Sequence, residues 1–593
     1  MNVIGFKEAQ CKNCYKCVRI CEVKAIVVKN QQAQILNDKC ILCGHCLDAC
    51  PQNAKTLISD LDKVKEFIKN GYKTIISLAP SYLGIMHFKK AGQVVNGLKQ
   101  LGFYQVRETS EGAAFVTREY QKLLQEGTMR NIITTCCPSA NDLIEIYFPS
   151  LTRFMAPVVS PMVAHGKLIK EELGPDVKVV FLGPCIAKKR EALSDPRTAG
   201  AIDAVINFTE LEDWMKEEGI ELDRLTEQPL DNPSPEVNRL YPITSGVISS
   251  VVASSTEDHY HKFYVHGINN CMELLKSMEK GEVTDSFIEL NVCNGGCIKG
   301  PAVDTSGISR FKVKLDMEES IPKKPVEEEE YFKQEGLDLH KQFIPRKNED
   351  KIPTDAQIRE ILKKIGKIDA SHEFNCGACG YSSCREKAIA VYQGKAELSM
   401  CIPYMHDRAS SMANVVLDIT PNAIIMVDAE MKIIEYNVGA EQYFHVAPAD
   451  AKQKYLYEII DHRDFEYVLN THNSLLGKKV TYDEYGVTTL QNIVYVPDQD
   501  GVLGIMVDIT EDEEKKNKAY QVKMETIEMA QKVIDKQMMV AQEIAGLLGE
   551  TTAETKVTLT KLRDTILYDG NLTEEKKIQP IIMHAKGPET IDN

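Results

Sequence analysis

The sequence lacks the features that membrane-spanning, secreted and nucleic-acid-binding chains need. No uncharged apolar run approaches the ~18 residues of a membrane helix, and the apolar stretch 75–86 is predicted to be a buried strand and turn. The first ten residues have no basic region followed by an apolar run, so no secretory signal is expected. A formal charge of −16 argues against non-specific nucleic-acid binding, which needs a basic surface. We therefore expect neither a membrane span nor a nucleic-acid partner.

Cysteine, in contrast, is abundant, with 18 residues in a chain of 593. All but Cys271 fall into groups, and Cys271 lies in an apparently helical stretch that predicts a buried structural thiol. Cytosolic chains do not keep this many thiols for disulfides. The cysteines therefore predict metal binding in a reducing cytoplasm. The length alone suggests about four domains.

Five cysteines lie on three short segments, at residues 134–138, 183–191 and 289–297. The neighbouring residues are Pro and Gly, turn residues that allow the backbone to approach a bulky cofactor. Four thiolates are the ordinary ligand set of a cubane iron–sulfur cluster, and a fifth is then free for chemistry. The five are Cys136, Cys137, Cys185, Cys293 and Cys297.

These segments resemble the three signature motifs of the [FeFe]-hydrogenases, the hydrogen-activating enzymes built on the H-cluster. The resemblance covers residues 1–315. It implies that a cubane is held by Cys137, Cys185, Cys293 and Cys297 and that Cys297 bridges to a diiron subsite. It also implies that Cys136 relays protons to the diiron amine.

Two further segments match residues that serve the diiron unit in that family. Lys188 matches the lysine that holds one cyanide ligand, and Ala79, Pro80 and Ser81 match the segment that hydrogen-bonds the other. The chain departs from the family at Gly183 and Asn291, where well-studied members carry Met. These changes leave room for an altered potential or catalytic bias.

The family's proton path also uses a pair of glutamates on a helix that precedes Cys136. The stretch 108–124 offers Glu108, Glu111 and Glu119. No pair among them can be aligned with the family's pair.

Residues 1–56 contain the spacing C-x2-C-x2-C-x3-C twice, which resembles the two-cluster ferredoxins. In that pattern the fourth cysteine of each run ligates the cluster of the other run. One predicted [4Fe–4S] ligand set is Cys11, Cys14, Cys17 and Cys50, and the other is Cys40, Cys43, Cys46 and Cys21. Zinc is the alternative, but zinc sites do not interleave in this way. Five basic side chains of this region form either a docking face for an acidic redox partner or a solvated surface: Lys7, Lys12, Lys16, Arg19 and Lys24.

A second cysteine-rich segment, residues 353–405, is similar to a small four-cysteine [4Fe–4S] domain. Its predicted ligands are Cys376, Cys379, Cys384 and Cys401, with zinc again as the alternative. The segment before it, residues 316–352, is rich in charge and Pro and includes the acidic run 327–330. It is predicted to be a linker or a strap across the preceding domain.

Residues 406–512 contain no cysteine and resemble a PAS domain, a sensor and dimerisation fold. Residues 513–593 open with a heptad pattern that begins at Tyr520 and ends at Leu548. A break at Gly546 and Gly549 and a second helix through Leu567 are expected after it. This pattern favours a homodimeric coiled coil, and the alternative is an amphipathic helix packed on its own domain. The tail has no Gly-rich nucleotide loop, so a signalling output requires a partner protein.

The predicted fold class is α/β multidomain. It comprises a ferredoxin-like α+β domain (1–56), a two-lobed α/β H-cluster domain (57–315), the linker, a small helical Fe–S domain, an α+β PAS domain and C-terminal helices. Three functions remain open: reversible reduction of protons to H2 with ferredoxin or a similar carrier, H2 or redox sensing, and a non-catalytic iron–sulfur role without the diiron subsite. Under the first, electrons leave the H-cluster through the N-terminal clusters or through the Cys376–Cys401 cluster.

Overall fold

The computed structural model describes residues 3–232, 236–252, 258–302, 307, 309–319, 321, 336–346 and 350–545, together with 557 and 561. The chain divides into two compact units, Met1–His406 and Asp407–Asn593. The predicted acidic run 327–330, the helix break at Gly546 and Gly549, and most of the second tail helix lie outside the described residues.

Among the helices of the described residues, none combines the length and the apolar composition that a membrane crossing requires.

The N-terminal region is a small α/β unit with two antiparallel strand pairs. Strand β1 (Ile4–Phe6) pairs with β4 (Lys55–Leu57), and β2 (Ile26–Lys29) pairs with β3 (Gln32–Ile35). Each cysteine run leads into a short helix that carries its third cysteine, α1 (Lys16–Ile20) and α2 (His45–Asp48). The region therefore contains two copies of one arrangement, a cysteine-bearing loop that leads into a short helix.

The central region contains two parallel sheets. The first has the order β6-β5-β8-β9, and its strands are β5 (Thr74–Leu78), β6 (Gln105–Glu108), β8 (Lys178–Leu182) and β9 (Ala204–Ile206). The second has the order β10-β11-β7, and its strands are β7 (Asn131–Ile133), β10 (His261–His266) and β11 (Ser286–Asn291). Strands β5 and β11 are buried along their whole length, as expected for parallel sheets covered on both faces.

Helices connect and cover these strands. They are α3 (Leu61–Lys69), α4 (Tyr82–Ile85), α5 (Ala91–Gln100), α6 (Ser110–Glu126), α7 (Pro138–Tyr147), α8 (Pro161–Leu173), α9 (Ala187–Leu193), α10 (Phe208–Glu217), α11 (Gly246–Val252), α12 (Ile268–Glu279) and α13 (Arg310–Glu319). The sequence predicts a helix over residues 61–69 and a buried strand over residues 177–182 that leads into Cys185. The helix α3 has the predicted bounds, and β8 begins one residue later than predicted. The predicted turn after β5 is wrong in part, because residues 82–85 close a short helix there. The domain end predicted at residue 315 falls within α13, which continues to Glu319.

The described part of the predicted linker, residues 336–346, crosses the central region as an ordered strap. Leu339 and Phe343 are buried, and His340 forms an antiparallel bridge with Val158. The backbone N–H of Ile344 donates to Glu145 Oε1 at 2.9 Å. These contacts favour the predicted strap over the predicted linker for residues 336–346.

The four-cysteine region contains α14 (Asp355–Lys364) and α15 (Cys384–Tyr392). Thr354 and Ser383 cap the two helices by accepting backbone N–H bonds, the usual N-cap arrangement. Tyr381 and Met400 join Val18 of the N-terminal region in one buried apolar cluster. The two cysteine-rich regions therefore share a core.

The second unit contains a five-stranded antiparallel sheet of order β13-β12-β16-β15-β14. Its strands are β12 (Ala423–Val427), β13 (Ile433–Tyr436), β14 (Leu475–Tyr482), β15 (Val487–Val496) and β16 (Gly501–Asp508). The remaining helices are α16 (Ile402–Ile419), α17 (Val438–Phe444), α18 (Pro448–Ala451), α19 (Arg463–Thr471) and α20 (Thr510–Ala545). The core of the unit packs Phe444 and Phe465 against the sheet.

Candidate active site and iron–sulfur sites

The chemistry-bearing segments of the central region each follow the carboxyl end of a parallel strand. Strand β7 leads into Cys136 and Cys137, β8 into Cys185, and β11 into Cys293. Strand β5 leads into the segment that ends at Ser81. Parallel α/β sheets present their sites at this edge because the loops there are free of the strand ladder.

The structure brings the four predicted cubane ligands together. Burial raises the pKa of Cys293 well above its usual range, and Cys185, Cys137 and Cys297 lie close enough to raise it further. Burial and the same two neighbours, Cys185 and Cys137, also raise the pKa of Cys297. Four neighbouring thiolates without a cation would repel one another, whereas a metal cluster deprotonates its thiol ligands outright. The sulfur set therefore fits an iron–sulfur cluster.

The third cysteine-bearing segment, residues 289–297, is held by backbone contacts to residues 242–244. Gly296 has a φ of +87°, and a Cβ at this position would lie 2.5 Å from Pro242 O. The backbone N–H of Cys297 donates to the same carbonyl at 2.7 Å. Glycine is thus required here for the close approach that fixes Cys297.

Cys136 lies beside this sulfur set with a separate group of partners. Its Sγ is 3.3 Å from the Tyr120 hydroxyl, which accepts the Thr135 backbone N–H at 2.9 Å. Burial raises the pKa of Cys136 to about 12, although Tyr120 and Lys188 act in the opposite direction. The thiol is therefore protonated at neutral pH and available for proton exchange.

Lys188 bridges Cys136 and a buried carboxylate. Its Nζ donates to Cys136 O at 3.1 Å and to Glu191 Oε2 at 2.8 Å. Ser160 Oγ donates to the same carboxylate oxygen at 2.9 Å. Burial alone would lower the pKa of Lys188, but Glu191 and the nearby thiolates raise it above its ordinary value. A fixed cation therefore lies at the rim of the sulfur set.

Ser81 presents a buried hydroxyl that has no hydrogen-bond partner among the described residues. Ala79 before it is anchored by its N–H to Leu182 O at 2.9 Å. A buried unpaired polar group is rare and calls for a ligand. The Ser81 hydroxyl fits a cofactor that offers a hydrogen-bond acceptor, such as a cyanide nitrogen.

The glutamates considered for the proton path have other partners. Arg239 Nε donates to Glu108 at 2.7 Å, Glu111 pairs with Arg107 and His165, and Glu119 pairs with exposed Lys122. Tyr120 of α6 contacts Cys136 instead. It was not predicted, because the proton path implied by the resemblance uses carboxylates.

Glu289 is a second residue near Cys136 that the sequence analysis missed. It lies at the centre of β11, and burial raises its pKa to about 7 although backbone N–H groups of residues 245–248 stabilise the charged form. Its charge raises the pKa of Cys136. Its position on a buried strand, four residues before Cys293, was a signal available in the sequence.

Seven of the eight N-terminal cysteines fall into two neighbourhoods. Burial raises the pKa of Cys46, and Cys43, Cys40 and Cys21 raise it further. Cys14 and Cys11 act in the same way on Cys17. Cys50, the predicted partner of the latter set, lies at the end of the second run, where its sulfur accepts the Ala54 N–H at 3.4 Å.

The N-terminal sites adjoin the central sulfur set through Cys43, which is among the groups that raise the pKa of Cys293. The residues present thus offer a continuous series of thiolate sites from the N-terminal region to Cys293.

In the four-cysteine region, all four predicted ligands line one cavity: Cys376, Cys379, Cys384 and Cys401. Within the described residues, no three Cys, His, Asp or Glu side chains converge tightly enough to hold a single metal ion. A cavity lined by four cysteines is compatible with both predicted occupants, a [4Fe–4S] cluster and a zinc ion.

Three family models match this chain in the regions just described. Residues 72–301 match the C-terminal domain of the iron-only hydrogenase large subunit. The chain carries an iron-only hydrogenase large-subunit domain. A 4Fe–4S dicluster model matches residues 10–55, and an Fe–S cluster model matches residues 373–403.

Individual hydrogenases resemble a little under half of the chain. The NADP-reducing hydrogenase subunit HndD of Solidesulfovibrio fructosivorans is 27% identical over 338 residues, which cover 46% of this chain and 58% of that protein. Iron hydrogenase 1 of Clostridium pasteurianum is 26% identical over 378 residues, which cover 46% of this chain and 66% of that protein. The chain thus spans less than two thirds of the length of either relative.

Solved structures resemble the chain more distantly. A variant of [FeFe]-hydrogenase HydA1 from Chlamydomonas reinhardtii is 18% identical, covers 49% of this chain and 99% of its own, and has a TM-score of 0.39. A PAS domain of an HTR-like protein from Haloarcula marismortui is 15% identical, covers 18% and 97% of the two chains, and has a TM-score of 0.16, a value that assigns no fold to the second unit.

Proposed function

We propose that this chain is an [FeFe]-hydrogenase that catalyses 2 H+ + 2 e− ⇌ H2 at an H-cluster. The observation that supports this function best is the fifth thiol, Cys136, beside four converging cysteines. The hydrogenase domain match and the unpaired Ser81 hydroxyl agree with it. When bound, the H-cluster supplies the hydrogen-activating chemistry, and the protein supplies ligands, orientation and a dry pocket.

The proposed roles combine the family resemblance with the contacts of each side chain. Cys137, Cys185, Cys293 and Cys297 would hold the cubane, because their sulfurs lie near one another, and the resemblance implies that Cys297 would also bind the diiron part. Ser81 and Lys188, with the backbone of Ala79 and Pro80, would contact its cyanide ligands. Lys188 stays charged because Glu191 raises its pKa above the ordinary value.

Proton movement begins at Cys136 Sγ, which acts as general acid and base toward the cofactor. Tyr120 is a positioning residue, because its hydroxyl is fixed by the Thr135 N–H and faces the sulfur. The [4Fe–4S] clusters that the other predicted ligand cysteines would hold would supply the electron route between this site and ferredoxin or a similar carrier. The protein is proposed to act in a reducing cytoplasm, which preserves these thiolates.

A second candidate function is H2 or redox sensing, and the second unit supports it. When the five strands are numbered in chain order, they lie in the order 2-1-5-4-3 across the sheet, and this order supports a PAS domain. Helix α20 runs for 36 residues, and none of its side chains from 510 to 544 is buried. This favours a homodimeric coiled coil over packing on its own domain, with the signal passed to a partner protein.

Infrared spectroscopy of the full chain after anaerobic maturation tests the proposed site. Bands of bound CO and cyanide are expected. Their absence from an iron-loaded chain would favour the third candidate function, that of a non-catalytic iron–sulfur protein without the diiron subsite.

Turnover and hydrogen exchange then separate catalysis from sensing. Rapid H2 evolution with a reduced carrier, and α20 amide exchange that is the same under H2 and under N2, would support catalysis. Slow turnover with H2-dependent exchange in α20 would support sensing.

A further inference from the structure

The four-cysteine region is docked on the N-terminal region directly beside its cysteines. The Val28 N–H donates to Lys395 O at 2.9 Å, and the Asn30 N–H donates to Glu397 Oε1 at 2.6 Å. Gly380 has a φ of +89°, and a Cβ there would lie 3.0 Å from Val18 Cβ. The two regions therefore contact each other through their backbones. Within the described residues, no further domain lies between their cysteine sites.

Two of the basic residues considered for partner docking are used in this contact. Arg19 Nη2 donates to Ala378 O at 3.4 Å, and Lys24 Nζ donates to Gly380 O at 3.4 Å. This part of the basic face therefore contacts the four-cysteine region, although Arg19 stays exposed to solvent.

Tyr381 lies between the two cysteine sites. It lines the cavity of the four-cysteine site and is 4% exposed. Burial raises its pKa, and both Cys379 and Cys21 are near enough to raise it further. A buried aromatic ring thus connects the four-cysteine cavity with the neighbourhood of Cys21.

The cavity of the four-cysteine site is also lined by two buried lysines. Lys367 is 6% exposed and Lys387 is 1% exposed. Each Nζ donates to a backbone carbonyl, that of His372 at 2.7 Å for Lys367 and that of Glu397 for Lys387. Among the described residues, neither lysine forms an ion pair with a carboxylate.

Buried cations without counter-charges are costly unless an anion occupies the neighbouring space. Burial lowers the pKa of Lys387 to about 8, while Cys379, Cys401 and the more distant carboxylate of Glu397 raise it. A [4Fe–4S] cluster with four thiolates is an anion that becomes more negative on reduction, so nearby positive charge stabilises its reduced form.

The N-terminal pair of sites has less buried positive charge for each cluster. One buried lysine, Lys55, lies near cysteines of both sites, because it lowers the pKa of Cys17 and of Cys46. Its Nζ has no hydrogen-bond partner among the described residues. Lys24 and Arg190 lower the pKa of Cys21 and of Cys40, but both are partly exposed to solvent. Two predicted clusters thus share one buried lysine, whereas the four-cysteine site has two for one cluster.

We propose that the cluster of the four-cysteine site is the electron-accepting end of the relay and that Lys367 and Lys387 raise its reduction potential. One electron passes from the cluster of Cys21, which is oxidised, to this cluster, which goes from [4Fe–4S]2+ to [4Fe–4S]+. No bond is formed or broken and no proton is transferred. The inference deepens the proposed function, because electrons released from H2 would collect at this end.

Potentiometric titration with electron paramagnetic resonance, on the iron-loaded full chain, tests the proposal. The signal of this cluster is identified as the one lost in Cys401→Ala, and it should be reduced at a higher potential than the N-terminal signals. In Lys387→Met, the ratio of reduced to oxidised cluster at a fixed potential should fall about tenfold, equivalent to 59 mV for one electron. Lys387→Arg should retain most of the wild-type ratio.

Lys364→Met is the matched control, because this lysine of the same region is exposed and paired with Glu360. It should leave the ratio unchanged. If Lys387→Met fails to retain iron, Lys367→Met provides the same measurement. An unchanged ratio in an iron-loaded lysine variant, or a wild-type cluster that is reduced only after the N-terminal pair, would overturn the proposal. Chemical mediators supply the electrons, so the result is independent of whether the diiron subsite is present.

Discussion

The hydroxyl of Tyr120 lies 3.3 Å from the sulfur of Cys136 and is held there by the Thr135 N–H. The phenol accepts one hydrogen bond from the backbone, so its own proton is free to point to the sulfur. The sulfur is thereby fixed in orientation beside the four ligand cysteines. This relationship links α6 to the loop after β7 and gives the proposed proton donor a defined geometry.

We expect Tyr120→Phe to slow H2 turnover by tenfold to about 100-fold, because a misplaced proton donor costs rate even when it is present. The diiron infrared bands should remain, and the dependence of turnover on pH should change. Tyr260→Phe is the control, since its hydroxyl bonds to Met129 O instead. Equal losses in the two variants would show that Tyr120 is only a packing residue.

Cys136→Ala should abolish most turnover, by about 100-fold or more, because no other thiol can replace the proposed acid and base. Iron content and the CO and cyanide bands should be retained, since Cys136 is not a predicted ligand. Cys271→Ala removes another buried thiol, one in α12 outside every predicted ligand set, and should keep its turnover. Loss of iron in Cys136→Ala would instead place this sulfur among the ligands.

Ser81→Ala should have opposite effects on the metal-free and the loaded protein. In the metal-free chain it removes a buried hydroxyl without a partner, so the free energy of unfolding should rise by about 1 kcal/mol. In the loaded chain it removes a donor to the cofactor, and a cyanide band should shift.

Ser77→Ala provides the comparison for Ser81→Ala. The Ser77 hydroxyl is fully bonded, to Thr109 and to His165, both at 2.8 Å. This variant should destabilise both forms of the protein and leave the cyanide bands in place. Calorimetry and infrared spectra of the four samples check the prediction, and a destabilised metal-free Ser81→Ala would contradict it.

Cysteine spacing and strand patterning predicted most of the site, because those signals are local. The strand predicted at residues 177–182 leads into Cys185 as expected, and the helix over residues 61–69 was predicted with its bounds. Tyr120 was missed because its role depends on where α6 lies against the loop after β7. The docking of Gly380 on Val18 was missed for the same reason, since no spacing rule relates residues so far apart in the chain.

The lysines of the four-cysteine cavity show a further limit of the sequence. Lys367 and Lys387 look like ordinary surface residues in a charged helical region. Their burial follows from the packing of α14 and α15 around the cavity, which is a tertiary property. The sequence therefore shows which side chains are charged, but it does not show how far each of them lies from a predicted cluster.

The stability of the hydrogenase domain should depend on pH through Glu289. Burial raises the pKa of this carboxyl from 4.5 to about 7, so between these values the native state binds more protons than the unfolded state. Stability must then fall as pH rises from about 4.5 to 7 and stay lower above 7. The full contribution is about 3 kcal/mol, at 1.36 kcal/mol for each pKa unit.

Glu289→Gln removes this titration and should flatten the pH dependence of the melting temperature over that range. Its amide can still accept the Ile248 N–H, which the carboxylate accepts at 3.0 Å, so folding should be preserved. Glu282→Gln, at an exposed position four residues before β11, is the matched control and should leave the wild-type slope unchanged. A Glu289→Gln variant that keeps the full slope would show that the titrating group lies elsewhere, and the carboxyl near Cys136 would then be ionised throughout the range.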